Sequence, residues 1–74
     1  MKDDDVYAIT EKGEGILITH RPTSDLDHWR MLVLDFIGHR SIMLGSLLLE
    51  VLSRRAEVEK VVGWLEKKGY IEKY

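Results

Sequence analysis

Near the start of the chain, apolar residues form two short runs separated by a polar, glycine-containing segment. Residues 6–10 (VYAIT) and 16–19 (ILIT) are rich in β-forming side chains, and EKGEG between them has the composition of a turn. A tight loop at Lys12-Gly13 would join the two runs, so the pattern predicts a β-hairpin over residues 6–20. A short helix beginning at Thr10, a good N-cap residue, is the alternative. The two glycines and the β-branched run favour the hairpin.

Residues 25–38 carry a helical pattern with clear boundaries. Ser24 and Asp27 have the spacing of a capping box, and Gly38 is a typical C-terminal stop. Apolar side chains recur at helical spacing along one face, at Trp29, Leu32, Val33, Phe36 and Ile37. We therefore expect the first helix of the core at 25–38.

Two further apolar stripes lie in the second half of the chain and predict helices at 46–53 and 56–68. The stretch 44–68 also fits one long helix, because apolar residues follow a nearly continuous four-three spacing. The polar segment Ser53-Arg54-Arg55 interrupts that spacing, which favours a turn between two helices. Residues 40–44 fit either a short strand or the entry to the second helix.

The chain closes with a short predicted strand at 70–74, after Gly69 ends the preceding helix. Residues 1–5 are polar and are expected to form a frayed tail. The predicted elements describe a single α+β domain over residues 1–74.

Residues 58–71 (VEKVVGWLEKKGYI) resemble a recognition helix, its glycine stop and the first wing strand of the winged helix-turn-helix superfamily, as in archaeal and MarR-like regulators. The two preceding predicted helices match the other helices of that fold, so the resemblance covers residues 28–74. It implies a three-helix core that contains a helix-turn-helix.

The order of elements departs from that superfamily. Residues 6–17 look like the segment that usually follows a wing, but they lie at the opposite end of the chain. We therefore expect a rearranged sheet in which the N-terminal hairpin pairs with the strand at 70–74. Ile71 would then point into the core.

Composition limits what can stabilise a domain of 74 residues and 8.6 kDa. The chain has no cysteine, which excludes disulfides and thiolate zinc sites. A core this small is marginal, so a second copy of the chain is the expected stabilising partner, as a homodimer. No apolar stretch approaches a membrane span and the first residues are acidic, so we expect a cytoplasmic protein.

The charges are divided unequally between the two halves of the chain. Residues 1–37 have net charge −4 and residues 38–74 have net charge +2. An anionic partner would therefore contact the C-terminal half. The resemblance implies duplex DNA as that partner and transcription regulation as the function. The candidate DNA-binding cations are Arg54, Arg55, Lys60, Lys67 and Lys68.

Some apolar residues exceed what the three helical stripes require, which indicates a second buried interface. The candidate dimer or partner residues are Met31, Leu34, Met43, Leu49 and Trp64. The alternative function is thus a protein-interaction or oligomerisation module without DNA binding. No catalytic constellation, metal-ligand motif or cofactor fingerprint is evident, so we expect no enzyme activity, metal, cofactor or small-molecule substrate.

Overall fold

The computed structural model describes residues 4–39, 43–52 and 55–74, which form an α+β domain. The order is β1 (Val6–Ile9), α1 (Glu11–Thr19), α2 (Asp25–Gly38), β2 (Met43–Leu44), α3 (Gly45–Leu52), α4 (Arg55–Lys68) and β3 (Ile71–Lys73). The predicted α+β class is confirmed, and the layout is consistent with that of a winged helix.

The strands form an antiparallel sheet with the order β2-β1-β3, so the N-terminal strand is central. Ala8 and Ile9 of β1 lie opposite Glu72 and Ile71 of β3, respectively. The backbone N–H of Thr10 donates to the Tyr70 carbonyl at 3.0 Å. The prediction that the N-terminal segment pairs with the final strand is therefore confirmed, and Ile71 is buried as expected.

The predicted hairpin at 6–20 is wrong, because its second arm is helix α1. Thr10 is the N-cap and its hydroxyl accepts a hydrogen bond from the Gly13 backbone N–H at 3.1 Å. Gly13 packs so closely that a Cβ there would overlap the Tyr70 carbonyl oxygen. The helix is thus fixed by its cap and by tertiary contact, which outweigh the local β preference of its last residues.

The remaining helices follow the predicted pattern. Helix α2 has the predicted bounds, and the Ser24 hydroxyl caps it by accepting from the Asp27 N–H at 3.1 Å. The stretch 44–68 contains two helices, α3 and α4, and residues 53–54 between them lie outside the described ranges. Gly69 has a φ of 77°, the left-handed conformation that lets the chain leave α4 and enter β3.

The core lies between the sheet and the helices. Its most completely buried large side chains come from β1, α2, α3 and α4, and they are Tyr7, Val33, Leu34, Ile37, Leu48, Val58, Val62 and Leu65. Helix α1 packs against α2 and covers part of it. Among the described helices, none combines the length and apolar character needed to cross a membrane.

Candidate nucleic-acid interface

Helix α4 has a buried face and an opposite face that is open to solvent. Its buried side chains are Val58, Val61, Val62 and Leu65. Because successive residues turn by about 100°, the side of the helix opposite these four carries Ala56, Lys60, Gly63 and Lys67. All four are exposed, and we call them the outer stripe of α4. The stripe combines two lysines with two small residues and contains no carboxylate.

The predicted DNA-binding cations occupy different positions around α4. Lys60 and Lys67 lie on the outer stripe, and Lys68 is exposed beside it. The Nε of Arg55 donates to Glu59 Oε1 at 3.2 Å, so this cation is paired within its own helix. Arg54 lies outside the described residues.

A cluster of three cations and two aromatic rings flanks the outer stripe on one side. Trp64 and Tyr70 meet edge to face, with ring centroids 5.9 Å apart. The Arg30 guanidinium lies 4.2 Å from the Trp64 ring centroid and the Lys68 Nζ 5.7 Å from the same centroid. The Lys12 Nζ lies 5.5 Å from the Tyr70 ring centroid. We call these five residues the cation–aromatic cluster; it joins α1, α2 and the C-terminal half of α4.

The other flank of α4 faces the sheet and is acidic. Glu59 and Glu66 lie on this flank, and Tyr7 of β1 is buried beneath it. Burial, together with the charges of Glu66 and Asp5, raises the pKa of Tyr7 to about 12. The Tyr7 hydroxyl also donates to Asp5 Oδ2 at 3.4 Å. Arg55 lies on this flank too, paired with Glu59, whereas Glu57 lies on the flank of the cation–aromatic cluster. The sheet flank therefore has an excess of negative charge, and the cluster flank has an excess of positive charge.

Two predicted interface residues are core residues of this chain. Met31 and Leu34, predicted at a dimer or partner interface, are buried in the main hydrophobic cluster of this chain. The reason is that residues 11–19 form a helix that packs against α2, a cover the stripe pattern did not include. Trp64 is half-buried by Arg30 and Tyr70. The side chains of Met43 and Leu49 lie outside the described part of the structure.

Sequence reasoning also missed surface features that depend on the fold. Lys12 and Arg30 were not candidates, because only the packing of α1 and α2 brings them to the aromatic rings of Trp64 and Tyr70. Ile18 was expected in a strand and Leu32 on the apolar face of the first helix, but both side chains are exposed. A composition of interspersed basic and aromatic residues is the one signal that could have identified the cluster.

No family model, curated protein or solved structure matches this chain. The winged helix-turn-helix resemblance therefore depends on the residues quoted above and on the layout of the fold.

Proposed function

We propose that this protein is a winged-helix transcription regulator that binds duplex DNA through α4. The observation that carries the proposal is the outer stripe of α4, where Lys60 and Lys67 alternate with Ala56 and Gly63 on an exposed face. The proposal includes a cytoplasmic location.

The composition of the stripe suits close approach to a polyanion. Lysine side chains reach phosphates without needing a fixed geometry, and their binding releases condensed counterions from the DNA. Ala56 and Gly63 have little or no side chain, so the helix backbone is free to come near the groove edges. The chain contains no Asn or Gln, which removes the usual bidentate contacts to adenine. Phosphate contacts would therefore dominate the affinity.

The surrounding helices support the same proposal. Helix α4 packs on α2 and α3 through its buried face, which leaves the outer stripe available to a ligand. This placement resembles that of the recognition helix in a helix-turn-helix, where the preceding helices support the one that enters the major groove.

A titration of labelled duplex DNA by fluorescence anisotropy over a range of salt concentrations tests the proposal. We expect the logarithm of the association constant K to fall linearly with the logarithm of the salt concentration. Each phosphate contact should add about 0.9 to the steepness of that slope. Lys60→Gln and Lys67→Gln should each lower the slope by about 0.9. Lys73→Gln, which removes an exposed charge from β3 instead, is the matched control and should leave the slope unchanged. Salt-independent binding, or none at low salt, would contradict the proposal.

A second candidate function is self-association through α1 and α2. Ile18 is 85% exposed and Leu32 is 46% exposed, both large apolar side chains. Two adjoining grooves of about 270 and 330 Å³ link them, and both grooves are lined by Leu17 and Asp35. A homodimer formed there is compatible with DNA binding, because the patch lies on a different side of α2 from α4.

A further inference from the structure

The cations of the cation–aromatic cluster are held in place without being neutralised. Lys12, Arg30 and Lys68 each lie near an aromatic ring, which orients a cation but leaves its positive charge in place. Over the ranges 4–39, 43–52 and 55–74, no carboxylate lies within ion-pair distance of any of the three. The Asp27 carboxylate is hydrogen-bonded to His20 Nε2 at 2.7 Å and accepts from the Thr23 N–H at 3.0 Å. It also lines one groove with Trp64 and Lys68, and its pKa is lowered mainly by the bond to His20 and in small part by the charge of Arg30.

The position of this cluster relative to α4 is set by helix geometry. Trp64, Lys68 and Glu57 lie on one flank of the outer stripe. Glu59, Glu66 and Arg55 lie on the other, where Arg55 pairs with Glu59. An α-helix in the major groove lies between the two phosphate backbones, so each flank faces one strand. The cluster flank has three cations against the two carboxylates Asp27 and Glu57, and its excess positive charge attracts phosphate. The other flank has two carboxylates against one cation, and its excess negative charge repels phosphate.

The geometry points to one-sided docking of duplex DNA, in which Lys12, Arg30 and Lys68 bind the phosphates of one strand and the sheet side of α4 makes no backbone contact. This inference rests on the proposed function and deepens it. It adds α1 and α2 to the DNA-binding surface, and it gives the bound duplex a defined orientation: over the helices and away from β1 and β3.

The triple variant Lys12→Gln, Arg30→Gln, Lys68→Gln tests the inference in the same salt titration. We expect the slope of log K against log salt to fall by about three units, at about 0.9 per phosphate contact. Lys73→Gln, on the sheet side, should leave the slope unchanged. Far-UV circular dichroism checks that the triple variant is folded. If the loss of the Arg30 stack unfolds it, the double variant Lys12→Gln, Lys68→Gln should lower the slope by about two units.

The outcomes separate this inference from the proposed function. If the wild-type protein binds duplex DNA and Lys60→Gln weakens it, but the triple variant keeps the full slope, one-sided docking is overturned and the function stands. A loss of slope in Lys73→Gln equal to that of a single cluster variant would also overturn it. If the wild-type protein shows no salt-dependent binding, the proposed function itself fails.

Discussion

Gly63 occupies a position in α4 where glycine is unfavourable for the helix itself. It is exposed, and a Cβ added there would meet no atom within 4 Å. Alanine in the interior of an exposed helix is more favourable than glycine by about 0.5–1 kcal/mol. A glycine at this position therefore costs stability, and the proposed close approach of DNA to the outer stripe would be a physical reason for that cost.

Replacement of Gly63 by alanine should move stability and DNA affinity in opposite directions. We expect Gly63→Ala to raise the free energy of unfolding by about 0.5–1 kcal/mol, measured by urea denaturation, because it reduces the entropy of the unfolded chain. It should weaken DNA binding, because the added methyl group faces the groove. Gly15→Ala in α1 is the matched control: a Cβ there also meets nothing within 4 Å. This variant should gain similar stability with no change in DNA affinity. An equal loss of DNA affinity in Gly63→Ala and Gly15→Ala would contradict the argument.

At the scale of elements, Thr10 connects the first turn of α1 to the end of α4. Its hydroxyl accepts from the Gly13 N–H at 3.1 Å and donates to the Gly69 carbonyl at 2.6 Å. Ser24 performs only the first of these roles, for α2, by accepting from the Asp27 N–H. A comparison of variants at Thr10 and Ser24 therefore separates the stability that a helix cap contributes from the stability that a bond between elements contributes.

Removal of the Thr10 hydroxyl should destabilise the protein more than removal of the Ser24 hydroxyl. We expect Thr10→Ala to cost about 2 kcal/mol, from a lost cap and a lost hydrogen bond of about 1 kcal/mol each. Ser24→Ala should cost about 1 kcal/mol, and Thr10→Ser should be close to wild type. Urea denaturation midpoints and slopes measure all three. Equal costs for the two alanine variants would show that the bond to Gly69 contributes nothing.

The elements that the sequence predicted correctly are those whose signals are local. Helix α2 has a capping serine, acidic residues in its first turn and a regular apolar stripe, and its bounds match the prediction. Helix α1 has the opposite character, because the β-formers Ile16 and Ile18 lie in a segment with two glycines. What fixes α1 is a cap and a close contact between Gly13 and Tyr70, 57 positions later in the chain. No local pattern contains that information.

At the scale of the whole molecule, the same missed helix changes which surfaces are open. Once α1 covers α2, Met31 and Leu34 become core residues and are no longer available to a partner. Lys60, Lys67 and Lys68 are exposed cations of α4, and the sequence predicted all three within its third helix. Lys12 and Arg30 were not among the predicted site residues, because their relation to Trp64 and Tyr70 exists only after α1 and α2 have packed.

The packing of α1 on α2 leaves a different apolar surface exposed, around Ile18 and Leu32. Side chains two residues apart on a helix point to nearly opposite sides. Leu32 therefore faces away from the core that buries Leu34. The grooves around the patch hold His28 and His39 as well as Glu14 and Asp35. In a two-fold dimer through this patch, the imidazoles of one copy would be able to lie opposite the carboxylates of the other.

Self-association through this patch should depend on its two exposed apolar residues. We expect the wild-type protein to sediment as a dimer and the Ile18→Lys, Leu32→Lys variant to dissociate at least about tenfold more readily, about 1.4 kcal/mol. The cause is that a lysine charge must lose water in the interface. Leu26→Lys is the control, because Leu26 is also exposed on α2 but lines a separate groove with Trp29 and Val61. A monomeric wild-type protein over the whole concentration range would contradict self-association.

Since α4 packs on the core side of α2, a dimer of this kind leaves both outer stripes open to DNA. The loss of dimer in the double variant should therefore weaken binding to a duplex with two half-sites and spare binding to a single half-site.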